Sequence, residues 1–210
     1  GADMTAMNEA KEWIEAKEKG EKKTTSCCPA FKNYIEKHFP TLKDAISETV
    51  SPMCAASRYI KEKFPGAVTV FIGPCIAKKA ESMSGEKDTA DYALTYGEIR
   101  AMLRAKGVKL EPEEDTDDQG SIYGKKFANA GGVTAAVLES MKELGCTGDV
   151  SVCKCSGITE CKKALTLMKV GRLPEDFIEG MACEGGCVGG PSAFNDQVSS
   201  KKNRDTLIGQ

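Results

Sequence analysis

Histidine and tryptophan are almost absent from this chain, which has one of each among its 210 residues. The lone histidine, His38, excludes an imidazole-rich metal site. Long hydrophobic runs are lacking too, because the longest covers only residues 67–72, and no apolar signal region lies at the N-terminus. We therefore expect neither a membrane-spanning segment nor secretion, and we expect a cytoplasmic protein.

An excess of one charge is also lacking. The 29 lysine and arginine residues offset 31 acidic residues, which leaves a net charge of -2 and no long basic block. This balance argues against nucleic acid and against a membrane surface as partners. A chain of 210 residues can bury a core without disulfides, so one large or two small domains are expected.

Cysteine, by contrast, is abundant, with ten residues. Thiols in a reducing compartment stay free to bind metal or to react. A set of sulfur ligands almost without imidazole favours zinc or an iron–sulfur cluster over copper or the cations that prefer oxygen. The cysteine content therefore predicts a thiolate metal site rather than a disulfide framework.

The hydrophobic pattern alternates helices with strands. It predicts helices over residues 3–19, 31–39, 42–49, 52–64, 133–144 and 158–170, with another ending near Gly107, and strands at 67–72, 92–95, 150–152 and from 177. The strand at 67–72 is expected to be buried on both faces. This is an α/β fold of two lobes, with mostly parallel sheets flanked by helices and a ligand site in the cleft at the strand ends.

The lobe boundaries follow from the same pattern. Residues 1–66 are expected to form part of the first lobe and residues 67–191 the second, while residues 192–210 form a helical tail. The acidic stretch from residue 111 to 118 is expected to be a surface excursion or a connection between lobes.

Three segments carry the cysteines that point to a metal site. Cys27 and Cys28 are adjacent and point in different directions, so one thiol can bind metal while its neighbour acts otherwise. Cys75 follows a predicted strand. Cys183 and Cys187 lie among glycines that would let backbone N–H groups donate to cluster sulfurs. Cys27 or Cys28, together with the other three, would hold one four-iron cubane.

The remaining cysteines give a weaker signal. Cys153, Cys155 and Cys161 could bind a second metal, but Cys161 falls on the apolar stripe of a helix. Buried, inert thiols are therefore the favoured interpretation for this set, for Cys146 and for Cys54.

The three segments together resemble the cluster-binding signatures of FeFe (iron-only) hydrogenases, in the C-terminal catalytic domain of the large subunit. The matches are Thr-Ser-Cys-Cys-Pro at 25–29, Pro-Cys-Ile-Ala-Lys-Lys-Ala-Glu at 74–81, and the glycine-rich segment 179–191. The resemblance covers nearly the whole chain. It implies a domain truncated at its N-terminus, so that the isolated fragment could be inactive and free of clusters.

The resemblance also implies the cofactor and the site residues. The active site would contain six irons, as a 4Fe-4S cubane joined through a cysteine sulfur to a two-iron unit carrying carbon monoxide, cyanide and a bridging dithiolate. Cys28, Cys75, Cys183 and Cys187 would bind the cubane, with the Cys187 sulfur shared. Lys78 would hydrogen-bond a cyanide, Met181 would pack on the two-iron unit, and protons would pass along Cys27, Glu9, Ser47 and Glu12.

Three residues depart from the family pattern. Gly73 stands where a methionine is usual and is expected to leave space beside the two-iron unit. Ala16 stands where an arginine often ends the proton path, and Phe31 replaces a tryptophan. The first two departures favour slower chemistry or a sensing role.

The resulting hypothesis is reversible oxidation of H2 and reduction of protons in an anaerobic cytoplasm. A ferredoxin or an attached ferredoxin-like cluster domain would exchange electrons, and maturation proteins would supply the two-iron unit. Three alternatives stay open: a hydrogen sensor of low turnover, a hydrogenase-like iron–sulfur carrier, and a structural zinc protein.

Overall fold

Parallel strand pairs and flanking helices make up the computed structural model, which describes residues 1–111, 120–146 and 148–208. The elements, in order, are α1 (Ala2–Glu18), β1 (Lys23–Thr24), α2 (Pro29–His38), α3 (Pro52–Lys63), β2 (Val70–Gly73), α4 (Ala77–Ser82), β3 (Tyr92–Thr95) and α5 (Tyr96–Ala105), followed by α6 (Ile122–Lys126), α7 (Gly132–Glu143), β4 (Val152–Ser156), α8 (Ile158–Lys169), β5 (Phe177–Met181) and α9 (Gln197–Ile208). The predicted α/β class is confirmed.

One sheet has the strand order β1-β5-β4, and all five residues of its central strand β5 are buried. Helices α1 and α7 cover one face, where the Trp13 ring stacks on the Phe177 ring with centroids 4.3 Å apart. The other face carries Ile178 and packs against α2 and α8 through Phe31 and Leu165. The two hydrophobic clusters fix β5 in the centre of the molecule.

The second sheet contains β2 and β3. Val70 and Ile72 are each 46% exposed, so the expectation of a strand buried on both faces is wrong. The reason is that, within the described residues, β2 pairs with β3 alone and lies at the edge of a small sheet.

Two sequence-based boundaries need correction. The helix predicted over residues 42–49 is a 3₁₀ turn, Pro40–Ala45, after which the chain extends and Ile46 bridges to Thr24. The predicted strand at 150–152 instead begins at Val152, so Cys153 and Cys155 lie inside β4. The acidic stretch falls outside the described residues from position 112 onward.

The strand pairing also concerns the predicted division into two lobes. Because β1 pairs with β5, one sheet joins residues from both sides of the predicted boundary at residue 66, and the lobe boundaries themselves stay a prediction. Among the described residues, no helix has the length and apolar character needed to cross a membrane.

Candidate active site

The first cysteine pair lies just beyond the carboxyl end of β1. The Thr25 N–H donates to the Ile178 carbonyl at 2.9 Å, and the Gly180 N–H donates to Thr25 Oγ1 at 3.1 Å, so the loop is tied to β5. Cys27 is 7% exposed, whereas Cys28 is half-buried and precedes the first residue of α2. Cys28 thus stands at the N-cap position of α2, beside N–H groups that have no partner within the helix.

The second segment places Cys75 between β2 and α4. Lys78, in α4, is buried, and its ammonium lies 2.5 Å from a Glu81 carboxylate oxygen and 3.4 Å from the Cys27 carbonyl oxygen. The Ser51 hydroxyl donates to the other Glu81 oxygen at 2.5 Å. Glu81 therefore holds Lys78 toward the first cysteine pair, a role that sequence reasoning missed although the residue stood in the quoted motif.

The third segment runs from β5 into a tight loop. The Ser192 N–H donates to the Pro74 carbonyl at 3.1 Å, and a Cβ at position 190 would lie 2.6 Å from that same oxygen, so only glycine lets the two segments meet here. Gly186 has φ of +89 and approaches Ala128 equally closely. These close contacts bring Cys187 and Cys75 into one region.

The loop's N–H groups are used differently from the sequence-based expectation. Those of Gly185, Gly186, Cys187, Gly189 and Gly190 donate to protein oxygens, for example from Cys187 to the Ala128 carbonyl at 2.7 Å. These hydrogen bonds fix the conformation of the loop itself.

The four predicted ligands lie close enough to act on one another electrostatically. Burial, followed by the charges of Cys28 and Cys75, raises the pKa of Cys183. The same causes raise the pKa of Cys187 to about 12, against a smaller lowering by Lys78. Since thiols bind metal as thiolates, assembly of a cluster here must release protons.

The candidate ligands are all cysteine sulfurs, a donor set that suits an iron–sulfur cluster. All ten cysteines are free thiols, and among the described residues no three histidine, cysteine or acidic side chains converge closely enough to hold one metal ion.

A cavity of about 540 Å³ opens beside these cysteines. Its lining is mainly apolar and includes Cys27, Cys28, Lys78, Met181, Cys187 and Phe71. Cys75 and Cys183 do not line it. Its volume is in the range of pockets that take a small cofactor, and a buried cation beside it favours an anionic occupant.

The space expected beside Gly73 is not free. A Cβ at this position would lie 2.7 Å from the ring of Phe71, which also lines the cavity. The glycine therefore leaves room for the Phe71 ring, so the absence of a larger side chain at position 73 does not leave empty space beside the cavity. Phe31, the other altered position, is fully buried against Gly180.

Glu9 lies on α1 and is completely buried, and neither of its carboxyl oxygens has a hydrogen-bond partner. Burial raises its pKa to about 8, with further contributions from the charges of Glu12 and Glu179 and a small opposing effect of the Trp13 indole. Burial, then Glu9, raises the pKa of the Cys27 thiol well above its ordinary value. Both groups therefore hold their protons at neutral pH.

Ser47 and Glu12 form the outer end of the predicted proton path. The Ser47 hydroxyl donates to a Glu12 oxygen at 2.6 Å, and the Thr49 hydroxyl donates to the same oxygen at 3.1 Å. Glu12 and Ala16 line a surface depression of about 460 Å³. The Lys23 ammonium, 3.8 Å from Glu12, supplies a cation where the family arginine is missing.

The second group of cysteines has no metal-binding geometry. The Cys153 and Cys155 sulfurs are 3.9 Å apart in β4, and burial, together with neighbouring Cys155, raises the pKa of Cys153 to about 12. Cys161 is fully buried, and its thiol donates to the Met181 carbonyl at 3.6 Å. Burial and the raised pKa of Cys153 favour the protonated form of these thiols. His38 is exposed.

Glu81→Gln should destabilise the metal-free chain by roughly 2 to 4 kcal/mol, because it leaves the buried Lys78 ammonium without its counter-charge. Urea unfolding at neutral pH measures the loss. Glu139→Gln is the matched control, since its pair with Lys142 is largely exposed and its removal should cost under about 1 kcal/mol. Equal losses in the two variants would show that Glu81 does not anchor Lys78.

Comparison with known proteins identifies the class. The family model for the C-terminal domain of the iron-only hydrogenase large subunit matches residues 1–191, and the chain belongs to this family.

Two relatives have established names. The Periplasmic Fe hydrogenase large subunit of Nitratidesulfovibrio vulgaris is 31% identical, over 90% of this chain and 56% of that protein. Iron hydrogenase 1 of Clostridium pasteurianum is 30% identical, over 99% of this chain and 45% of that protein. The chain thus spans about half the length of the curated relatives it matches.

Solved structures agree in fold. An FeFe hydrogenase captured during stepwise assembly of its H-cluster superposes with a TM-score of 0.75 at 24% identity, covering 99% of this chain and 72% of that one. The apo FeFe hydrogenase of Chlamydomonas reinhardtii gives a TM-score of 0.72 at 23% identity with the same coverage.

Proposed function

We propose that this chain forms the catalytic part of an FeFe hydrogenase that interconverts H2 with two protons and two electrons. The observation that carries the proposal is the meeting of three cysteine segments, more than 100 residues apart in places, at one apolar cavity that also holds a buried cation and a buried thiol. Family membership supports the same conclusion.

The residues suit the iron cofactor of the family. Cys28, Cys75, Cys183 and Cys187 would bind a 4Fe-4S cluster, while Lys78 and Met181 would contact a two-iron unit with carbon monoxide, cyanide and dithiolate ligands. When bound, this cofactor supplies the metal site at which H2 is split or formed and the route for electrons. The protein would supply a mainly apolar cavity, a buried ammonium group that can donate to an anionic ligand, and thiolates for iron.

The chain itself would carry the proton. The Cys27 thiol, in the cavity wall, holds a proton at neutral pH, and it can pass this proton to Glu9, the next buried acid, after Glu9 has released its own proton outward. Ser47 and Glu12, joined by a 2.6 Å hydrogen bond, would deliver it to the surface depression. Glu9 itself makes no hydrogen bond in the structure, so its side chain must reorient to connect Cys27 with Ser47.

The remaining assignments belong to the same proposal. Maturation proteins would install the two-iron unit, and a ferredoxin or attached ferredoxin-like cluster domains would exchange electrons with the cubane. The site would lie in a cleft between two lobes. We place the protein in an anaerobic cytoplasm, although the Nitratidesulfovibrio relative is named as periplasmic.

A hydrogen-sensing role is the second candidate. Ala16 supports it, because it lies at the proposed proton exit without the arginine usual in the family. Gly73 gives less support, because the Phe71 ring occupies the space beside it. A sensor predicts the same cofactor with very low turnover, whereas a hydrogenase-like iron–sulfur carrier predicts cubanes without the two-iron unit.

The proposal is tested by anaerobic expression of the full-length protein with the maturation proteins, followed by infrared spectroscopy of the carbon monoxide and cyanide stretches. We expect these bands together with hydrogen evolution from a reduced electron donor. Cys187→Ala should lose the bands, while Cys54→Ala, at a buried cysteine away from the cavity, should keep them. Iron and sulfide without the bands would replace the hydrogenase proposal with the carrier, and bands without turnover would favour the sensor.

A further inference from the structure

A charged residue occupies the central strand of the three-stranded sheet. Glu179 in β5 is fully buried, where a carboxylate is rarely found without compensation. One oxygen accepts from the Gly131 N–H at 2.8 Å, and the other accepts from the Thr134 N–H at 2.8 Å and from the Thr134 hydroxyl. Both oxygens therefore act as acceptors, as a carboxylate anion requires.

These donors belong to the start of α7. Gly131 precedes the first helical residue, has φ of +83, and has no side chain with which to cap the helix. Glu179 reaches across from β5 and accepts hydrogen bonds from two N–H groups at the start of α7. In other helices a capping side chain within the helix would accept these hydrogen bonds. The N-terminus of a helix favours an anion, so α7 and Glu179 stabilise each other.

The same carboxylate faces α1. Alternate residues of a strand share a face, so Glu179 lies on the side of β5 where Phe177 stacks on Trp13. Glu9 precedes Trp13 by one helical turn and lies on the same side of α1. Both acids are fully buried, but Glu179 has three donors and Glu9 has none. In such a pair the unpartnered acid is the one that keeps its proton.

Other charges also act on Glu9 or lie on the elements packed against it. Glu12, on the same helix, raises the pKa of Glu9 more than Glu179 does, but it is partly exposed and lies 3.8 Å from Lys23. The charged residues of the helices packed against α1 form ion pairs or lie at least partly exposed. On α3, Arg58 pairs with Glu86 and Lys61 with Asp91, while Glu62 and Lys63 are exposed. On α6, Lys125 is half-buried and Lys126 is exposed, and on α7, Lys142 pairs with Glu139 and Glu143 is exposed.

We propose that Glu179 is a positioning residue of the proton path, a fixed internal carboxylate that caps α7 and adds a like charge to the burial that favours the proton-carrying form of Glu9. The inference rests on the proposed function only in assigning Glu9 to that path. The oxygens of Glu179 accept three hydrogen bonds from the start of α7, so we assign it no part in carrying protons. Its charge acts together with burial and with Glu12 in favouring a protonated Glu9 at neutral pH.

The test uses the metal-free chain and follows the infrared band of protonated carboxyl groups as a function of pH. Ordinary acidic side chains are ionised above pH 6, so Glu9 should be the main contributor there, and Glu9→Gln identifies its band. We expect a midpoint near 8 in the wild-type chain. Glu179→Gln should lower this midpoint by roughly 1 pH unit, since it removes a nearby like charge.

Thr134→Val is the matched control. It removes one hydrogen bond to the Glu179 carboxylate but leaves the charge, so the Glu9 midpoint should stay at its wild-type value. If Glu179→Gln does not fold, the measurement moves to Glu179→Gln with Gly131→Asn, because asparagine tolerates positive φ and can cap α7 without charge.

Three results would overturn the inference: an ordinary midpoint for Glu9 in the wild-type chain, no shift in the variants neutral at position 179, or an equal shift in Thr134→Val. None of these results depends on iron or on hydrogen turnover. The hydrogenase proposal would survive each of them, and a failure of that proposal would leave the Glu9 titration unaffected.

Discussion

Cys27→Ala should lower hydrogen evolution by roughly 100-fold or more while leaving the carbon monoxide and cyanide bands of the loaded protein in place. Cys27 lines the cavity and is almost fully buried, and burial, then Glu9, raises the pKa of its thiol. A neutral thiol can donate a proton, whereas a methyl group cannot. Turnover with a reduced electron donor and infrared spectra of the same samples measure the two quantities.

Cys54→Ala is the control for this variant, since it also removes a buried thiol but one that does not line the cavity. It should keep both the bands and most of the activity. Equal activity in Cys27→Ala and in the unmodified protein would refute the proton-relay assignment. Loss of the bands in Cys27→Ala would instead assign Cys27 to cofactor binding.

The meeting of the three cysteine segments could be predicted from sequence because its signals are local and ordered. Adjacent Cys27 and Cys28 before a helix, Cys75 after a strand, and Cys183 among glycines each define a strand end or a helix start. Parallel sheets bring such ends to one side. The structure places these segments together, with the charges of Cys28 and Cys75 close enough to raise the pKa of Cys183.

The incorrect predictions concern burial, which depends on the neighbours that pack on a residue and not on its local sequence. The run at 67–72 is as apolar as a buried strand, yet Val70 and Ile72 are exposed because β2 pairs only with β3 in the described chain. Gly73 suggests free space, yet the ring of Phe71 occupies it. Both errors depend on side chains or strands whose positions follow from tertiary packing.

The proton path shows the same limit on one helix. Helical spacing predicts that Glu9 and Glu12 share a side of α1, but it does not predict which of the two side chains is buried. Packing against β5 and α7 buries Glu9 completely, while Glu12 stays at the surface with Lys23. Glu179 could have been noticed in the sequence as a charge inside an apolar strand, although its partners on α7 could not.

Glu9→Gln should remove most of the pH dependence of stability between pH 5.5 and 8. The folded-state pKa of Glu9 is raised from 4.5 to about 8, so in this window the folded chain holds a proton that the unfolded chain has released. Stability is therefore highest below the unfolded value and falls by up to about 1.4 kcal/mol per pH unit as the pH rises toward 8. The wild-type chain should lose roughly 2 to 3 kcal/mol across this window.

Glutamine fills the same space without a titratable group. The free energy of unfolding of the variant should therefore equal that of the wild-type chain near pH 5.5 and exceed it at pH 8. Urea unfolding of the metal-free chain measures both, and stopping at pH 8, below the ordinary cysteine pKa of about 8.5, limits the contribution of cysteine ionisation in the unfolded state. Glu15→Gln, at an exposed position of the same helix, should follow the wild-type profile. If it does and Glu9→Gln also keeps the wild-type slope, Glu9 is ionised in the folded chain and cannot store the proton that the path requires.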